Sequence, residues 1–147
     1  MTELESFLIR HLTKEERFVP YCYEDHMGYK TIGIGRMIDK AKGGGITLDE
    51  AQYLLRNDIH WRTDDVRERL PFVKGMDMVR QAVLYAMAFQ MGVDGLMEFR
   101  NTLKAVEEER WERAADGMLA SLWARQTPGR ANRLASAMRT GEARWLT

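Results

Sequence analysis

Cysteine occurs once in the 147 residues, at Cys22, so neither an internal disulfide nor a cysteine-based zinc site can form. Histidine is nearly as scarce. His11, His26 and His60 have no metal-ligand spacing of the H-E-x-x-H kind, which gives no ground for a metal site. Net charge is absent as well: 22 Lys and Arg balance 22 Asp and Glu, leaving no bulk field to draw in nucleic acid. No run approaches the roughly 20 apolar residues of a membrane span, and the longest, around 82–91, is interrupted by Gln90. Met1-Thr2-Glu3-Leu4-Glu5 is acidic where a secretory signal would be basic, so a cytoplasmic chain is expected. Gly33-Ile34-Gly35 lacks the third glycine of a dinucleotide fingerprint, and Lys42-Gly43-Gly44-Gly45 is no P-loop.

What is present suits an ordinary globular protein, with 45% hydrophobic and 30% charged residues. At this length a chain buries roughly 68–70% of its unfolded surface and needs no covalent or metal staple. Leu4, Phe7, Leu8 and Leu12 recur at helical spacing and predict an amphipathic helix over 3–13. Thr13 and Glu16 have capping-box form, which predicts a restart or an extension to Glu16. Phe18-Val19-Pro20-Tyr21-Cys22-Tyr23 reads as a strand that Pro20 confines to an edge. Asp25-His26-Met27-Gly28 reads as a turn and Tyr29 to Gly35 as the returning strand, together a hairpin. Gly33 and Gly35 are expected on one face of that strand, permitting close approach of a ligand or backbone.

Beyond the glycine loop everything reads as helix. Thr47 and Glu50 form a capping box opening a helix to about Arg67. Residues 77–91 are apolar nearly all round and predict a central buried helix. Shorter helices are expected near 93–97, 100–107, 110–121 and 128–139, the last capped by Thr127 with Pro128 at its first position and Gly141 past its end. The methionines at 76, 78, 87 and 91 are read as core packing, and Cys22 as a small buried hydrophobe. Trp123 and Trp145 are read as core, and Trp61 as surface or interface. The fold class is thus α+β, mainly helical: an N-terminal helix and a small β-hairpin lobe, joined by a long helix to a helical lobe, with a cleft between lobes. The expected boundaries in this single domain are 14–46 for the β lobe, 47–69 for the connecting helix and 70–147 for the helical lobe, onto which helix 1–13 packs.

Charge is uneven along the chain. Between Ser121 and Thr147 stand five arginines (Arg125, Arg130, Arg133, Arg139, Arg144) and one acid, Glu142, a local charge of +4. Such a stretch could bind an anionic wall or outer-membrane surface. A helix-turn-helix reading of it is disfavoured by the zero overall charge.

Glu16 at a helix end, Asp25 on the hairpin and Thr31 on the returning strand can converge beside a cleft. Two carboxyls, one kept protonated by its surroundings, are the equipment of general acid catalysis. In an inverting glycosidase the second carboxylate activates a water across a gap of roughly 6.5–9.5 Å, and Thr31 could hold that water. Spacing alone leaves open the alternative of two solvated surface acids, because acids are abundant here.

Glu16-Arg17-Phe18 through Tyr23-Glu24-Asp25, then Gly28-Tyr29-Lys30-Thr31-Ile32-Gly33-Ile34-Gly35, resembles the active-site segment of phage-type lysozymes (endolysins), glycoside hydrolase family 24. Further similar blocks follow in the family's order: Ala88-Phe89-Gln90-Met91-Gly92, Arg110 to Ala115, Trp123 to Arg133 and Arg139 to Trp145. The resemblance implies a lysozyme-like fold and hydrolysis of the β-1,4 bond between N-acetylmuramic acid and N-acetylglucosamine of bacterial peptidoglycan. It implies Glu16 as general acid, and Asp25 with Thr31 as the holders of the attacking water. Met37, Phe89 and Thr102 would line the sugar groove, with Gln90 and Gly35 beside them. It further implies no cofactor and no metal, no nucleic-acid partner, no stable membrane insertion, and a monomer. Such a protein would wait in a host's cytoplasm until lysis and then act on the wall in the periplasm.

Four departures from the family pattern stand out. Only Met37 to Ile46 fills an interval where a small-lobe helix is usual. Arg36 replaces a histidine, and an Arg36–Asp58 pair is expected in consequence. Gly117 replaces a groove asparagine, and Leu122 an arginine. A catalytically silent peptidoglycan-binding protein and a lytic transglycosylase are the rival readings. The first would lack a catalytic group, the second would need only the acid, and all three groups are present.

Overall fold

Thr2 opens the first helix. Its hydroxyl accepts the Glu5 N–H at 3.1 Å while the Glu5 carboxylate takes the Thr2 N–H, a reciprocal cap that satisfies two donors a helix start leaves free. The computed structural model describes all 147 residues, and helix α1 runs unbroken over Glu3–Glu16. The box expected at Thr13 is therefore not a restart; the Thr13 carbonyl accepts the Arg17 N–H at 3.1 Å and closes the last turn. Helix α1 buries no residue, and Leu4, Phe7, Leu8, Ile9 and Leu12 are all exposed.

The chain divides into two compact units, Met1–Leu54 and Leu55–Thr147. In the first, three antiparallel strands follow α1 in the order β1 (Val19–Glu24), β2 (Lys30–Gly33), β3 (Arg36–Met37). The expected hairpin is thus a three-stranded meander, because Ile34-Gly35 turns the chain back instead of extending β2. Gly35 consequently lies in a turn, not on a strand face with Gly33. Pro20 stands on an edge strand as expected, where the register slips between Val19 and Tyr23. A bulge there absorbs a residue that has no N–H to offer β2. One 3-10 turn, Lys40–Lys42, is all that stands between the sheet and helix α2 (Leu48–Arg69). Thr47 and Glu50 cap α2 reciprocally, at 2.7 and 3.2 Å, as the sequence predicts.

The second unit holds the core. Helix α3 (Met78–Met97) buries Val79, Val83, Leu84, Met87 and Ala88. It kinks at Gly92 (φ 78°, ψ 161°), a conformation that favours glycine and separates the two helices expected there. Helices α4 (Arg100–Glu107), α5 (Trp111–Leu119), α6 (Leu122–Gln126) and α7 (Pro128–Thr140) follow. The α6 segment is hidden in the sequence because Ser121, its cap, sits inside an otherwise continuous helical pattern; the Ser121 hydroxyl accepts the Ala124 N–H at 3.1 Å. Helix α7 packs on α5, α3 and α6. Thr127 precedes Pro128 as expected but does not cap α7: its hydroxyl donates to the Trp123 carbonyl at 3.0 Å, serving the end of α6.

Arg80 ties this unit together. Its guanidinium stacks on Trp111 at 4.2 Å, and its Nε and Nη2 donate to the carbonyls of Met138 (2.7 Å) and Arg139 (3.1 Å) at the end of α7. A cation there meets the negative end of the helix dipole. Met87 is fully buried, but Met78 is 78% exposed at the first position of α3, so it is not core packing. Trp123 is buried as expected, Trp145 is half-buried, and Trp61 is exposed.

Candidate active site

Glu16 is the last residue of α1, and the next residue carries unusual backbone. Arg17 has φ 61° and ψ 162°, a region L residues rarely enter, which costs about 1–3 kcal/mol. That bend takes the chain from the helix into β1. The Glu16 side chain lies against the Ile34-Gly35 turn: a Cβ built on Gly35 would stand 2.9 Å from Glu16 Oε2. Gly35 also has φ +69°, so glycine is required there both for backbone and for space. The sequence points to close approach at Gly35, and the partner is the Glu16 carboxylate.

Asp25 sits where β1 turns. Its Oδ1 accepts the N–H groups of Met27 and Tyr29, each at 2.9 Å, and its own N–H donates to the Tyr29 carbonyl at 2.9 Å. The Tyr29 N–H, aided by those of Met27 and Gly28 and by the nearby His26, holds the Asp25 carboxyl below the usual aspartate range against an opposing desolvation. Oδ2 accepts no hydrogen bond from the chain.

Thr31 is the sole buried residue of the sheet, 3% exposed in the middle of β2. Its hydroxyl donates to the Tyr29 carbonyl at 3.0 Å, so its oxygen is left to accept. Tyr23 and Met37 flank Thr31 as its cross-strand partners, one on β1 and one on β3. Directly opposed residues of antiparallel strands share a face with Cβ atoms roughly 4.5–5.5 Å apart, so Met37 lies beside Thr31. Asp25 lies one residue past the end of β1, tied to Tyr29, whose carbonyl holds the Thr31 hydroxyl. Glu16, Asp25, Thr31, Gly35 and Met37 thus all belong to the first unit.

The remaining groove candidates lie in the second unit and do not share one cavity. Thr102, on α4, is buried and lines a cavity of about 600 Å³ with Met91, Phe99, Gly117, Leu122 and Trp123. The Gly117 departure has a local cause: a Cβ there would stand 2.4 Å from Thr102 Oγ1, so the threonine hydroxyl fills the space a side chain would need. Gln90 accepts the Trp123 indole N–H at 2.9 Å through Oε1, leaving its amide nitrogen free. Phe89 is 42% exposed, with the Arg62 guanidinium 4.8 Å from its ring centroid, and lines a different groove.

Two expectations are corrected. Arg36 pairs with Glu50, not Asp58, because the capping box turns the Glu50 carboxylate toward the start of α2, within reach of β3. Asp58 instead accepts the Trp61 indole N–H at 3.3 Å. Cys22 is exposed, since its neighbour Tyr23 pairs with the buried Thr31 and takes the covered face, which leaves Cys22 on the opposite one. Sequence reasoning overlooked Tyr29, whose backbone N–H and carbonyl serve both Asp25 and Thr31. Backbone roles of that kind leave no mark on residue identity.

The profile of the phage lysozyme family matches residues 13–139. Among curated relatives, the probable T4-type lysozyme 1 of Dictyostelium discoideum is 32% identical over 145 residues, covering 81% of this chain and 85% of the relative. The pre-baseplate central spike protein Gp5 of Enterobacteria phage T4 is 32% identical over 155 residues, covering 88% of this chain but only 27% of the relative. The peptidoglycan hydrolase gp36 of Pseudomonas phage phiKMV is 30% identical over 126 residues, covering 83% of this chain and 14% of the relative. With a helix-terminal glutamate laid against a glycine turn, and a profile match that starts before it and ends in the last long helix, the chain belongs to the phage lysozyme family and is by class a lysozyme-type glycoside hydrolase.

Proposed function

We propose that the protein hydrolyses the β-1,4 bond between N-acetylmuramic acid and N-acetylglucosamine in bacterial peptidoglycan by a single, inverting displacement. Glu16 protonates the leaving glycosidic oxygen as the bond to the anomeric carbon breaks. A water attacks that carbon from the opposite face and gives its proton to Asp25. Thr31 positions this water. Its own proton is committed to the Tyr29 carbonyl, so its oxygen accepts one water hydrogen while Asp25 accepts the other. The water's lone pair is then left to face the sugar. The observation that carries this reading is the shared backbone of Tyr29, which bonds Asp25 through its N–H and Thr31 through its carbonyl.

Met37, Phe89, Thr102, Gln90 and Gly35 make the sugar contacts in this reading. Residues 14–46 form the catalytic lobe, 47–69 the connecting helix and 70–147 the lobe that carries the rest of the saccharide wall. No cofactor or metal takes part. The protein works as a monomer, stays in a host cell's cytoplasm until lysis, and then cuts the wall from the periplasm. No helix is long and apolar enough to cross a membrane. That the curated relative from phage phiKMV is named a peptidoglycan hydrolase supports the choice of substrate.

The test is turbidity loss of permeabilised Gram-negative cells, with wild type beside Glu16→Gln, which keeps the shape and removes the proton donor. Clearing by wild type and a loss of at least ~100-fold in the variant is the expected result. Equal clearing by both sinks Glu16 as the acid. Mass analysis of the products distinguishes hydrolysis, which adds one water, from formation of an anhydro sugar.

A further inference from the structure

The segment Ile38 to Ile46 fills the interval where the family pattern has a small-lobe helix, and nothing in the proposed mechanism uses it. It is nevertheless closely built. The Gly44 and Gly45 N–H groups donate back to the carbonyls of Asp39 (2.9 Å) and Met37 (3.1 Å). A Cβ on Gly44 would stand 2.8 Å from both the Asp39 nitrogen and the Met37 oxygen, so only glycine lets the segment close there. Asp39 Oδ1 accepts the Ala41 N–H at 3.0 Å and caps the 3-10 turn Lys40–Lys42. Backbone and one carboxylate oxygen of Asp39 are thereby both fixed.

The other oxygen reaches β2. The Ile38 N–H donates to the Lys30 carbonyl at 2.8 Å, as one rung of an antiparallel pair. The return rung is different: the Lys30 N–H goes to Asp39 Oδ2, at 3.4 Å, instead of to the Ile38 carbonyl. That N–H and the Tyr29 carbonyl belong to one planar peptide group and point to opposite edges of it. On the far edge the carbonyl accepts the Thr31 hydroxyl at 3.0 Å and the Asp25 N–H at 2.9 Å. One peptide thus has Asp39 on one side and both proposed water-holding residues on the other. Bonding its N–H to a carboxylate also polarises the peptide and strengthens its carbonyl as an acceptor. The same turn holds the Tyr29 side chain, with Lys42 Nζ 4.9 Å from the ring centroid. Every residue in this series of contacts lies in the first unit.

We propose that Asp39 is a positioning residue for the hydrolysis. It sets the rotation of the Tyr29–Lys30 peptide, and through it the Thr31 hydroxyl and Asp25, with Lys42 as a second hold on Tyr29. The inference rests on the hydrolase reading above. A residue that only capped the turn would need one oxygen; Asp39 uses both.

The test is Asp39→Ser, whose hydroxyl can still cap the turn but is too short to reach Lys30. On soluble, uncross-linked peptidoglycan chains, kcat is expected to fall at least ~10-fold with KM held within about twofold, because the displaced groups act on the water and not on sugar binding. Lys42→Gln, which removes only the cation over the ring, is expected to lower kcat by a smaller factor, again without a change in KM. Amide hydrogen exchange gives a readout independent of turnover. In Asp39→Ser the Asp25 N–H, whose acceptor is the Tyr29 carbonyl, should exchange at least ~10-fold faster while the amides of α1 keep their rates. Unchanged kcat in Asp39→Ser, a loss carried by KM alone, or an unmoved Asp25 amide overturns the proposal and leaves the hydrolase reading standing. Faster exchange throughout the first unit would make Asp39 a stabilising residue only and overturns it as well. A wild type that cuts no peptidoglycan sinks the hydrolase reading itself, and the inference falls with it.

Discussion

Asp25 and Glu16 are both carboxylates at chain turns, yet their surroundings differ in kind. Asp25 is ringed by backbone N–H groups, foremost that of Tyr29, which favour its charged form. A depressed carboxyl stays ionised as pH falls through the ordinary aspartate range and protonates only below it. Any stability it lends is therefore present above its unfolded pKa and lost as pH falls through the lower folded one. For the proposed base the same sign holds in activity. The acid limb of kcat/KM against pH should have its midpoint below the usual aspartate value of about 3.9. A limb at or above that value would remove Asp25 from the base role. Gly35 makes a second case. Gly35→Ala puts a Cβ onto Glu16 Oε2 at a positive φ, so it should cost about 1–3 kcal/mol in urea denaturation and lower cell clearing by at least ~10-fold. Unchanged clearing would show that the carboxylate tolerates displacement. Glu16, Asp25 and Thr31 were legible from residue type and motif. The contact of Gly35 with Glu16 was not, because it joins a helix end to a strand turn that only folding brings together.

Among the elements, the capping signals were decisive where the pattern was unique and left two outcomes open where it recurred, the extension to Glu16 being the one that α1 takes. Thr47 with Glu50 opens α2 as expected, whereas Thr2 with Glu5 opens α1 and leaves the similar Thr13-Glu16 spacing inside the helix. Local pattern cannot rank two equivalent boxes; the continuity of the α1 hydrogen bonds does. Strand β3 escaped notice since two residues, Arg36 and Met37, carry no periodicity. The approach of α4 and α5 rests on Gly117 against Thr102. Gly117→Ala should destabilise by about 1–3 kcal/mol through overpacking, and Thr102→Ala in the same chain should recover most of that loss. A double-mutant cycle by urea denaturation reads this directly. Additive losses would mean that the two helices adjust by moving apart.

For the whole molecule, the apolar core belongs to the second unit, and Leu84 at its centre is fully buried. Leu84→Ala should cost about 2–5 kcal/mol, seen as a lower urea midpoint with an unchanged slope. A smaller loss would mean that the site collapses around the missing atoms. The helical register, the caps of α2 and α7's glycine stop, and the edge position of Pro20 were all determined by the sequence alone, which also singled out the three residues proposed as catalytic. Each of the structural features depends on local sterics or on backbone hydrogen bonds within a turn. The partner of Arg36, the exposure of Cys22 and Met78, the separation of Phe89 from Thr102 into two cavities, and the glycine beneath Glu16 were decided by the tertiary structure. These depend on distances between segments remote in the chain, which residue identity does not encode and packing alone establishes.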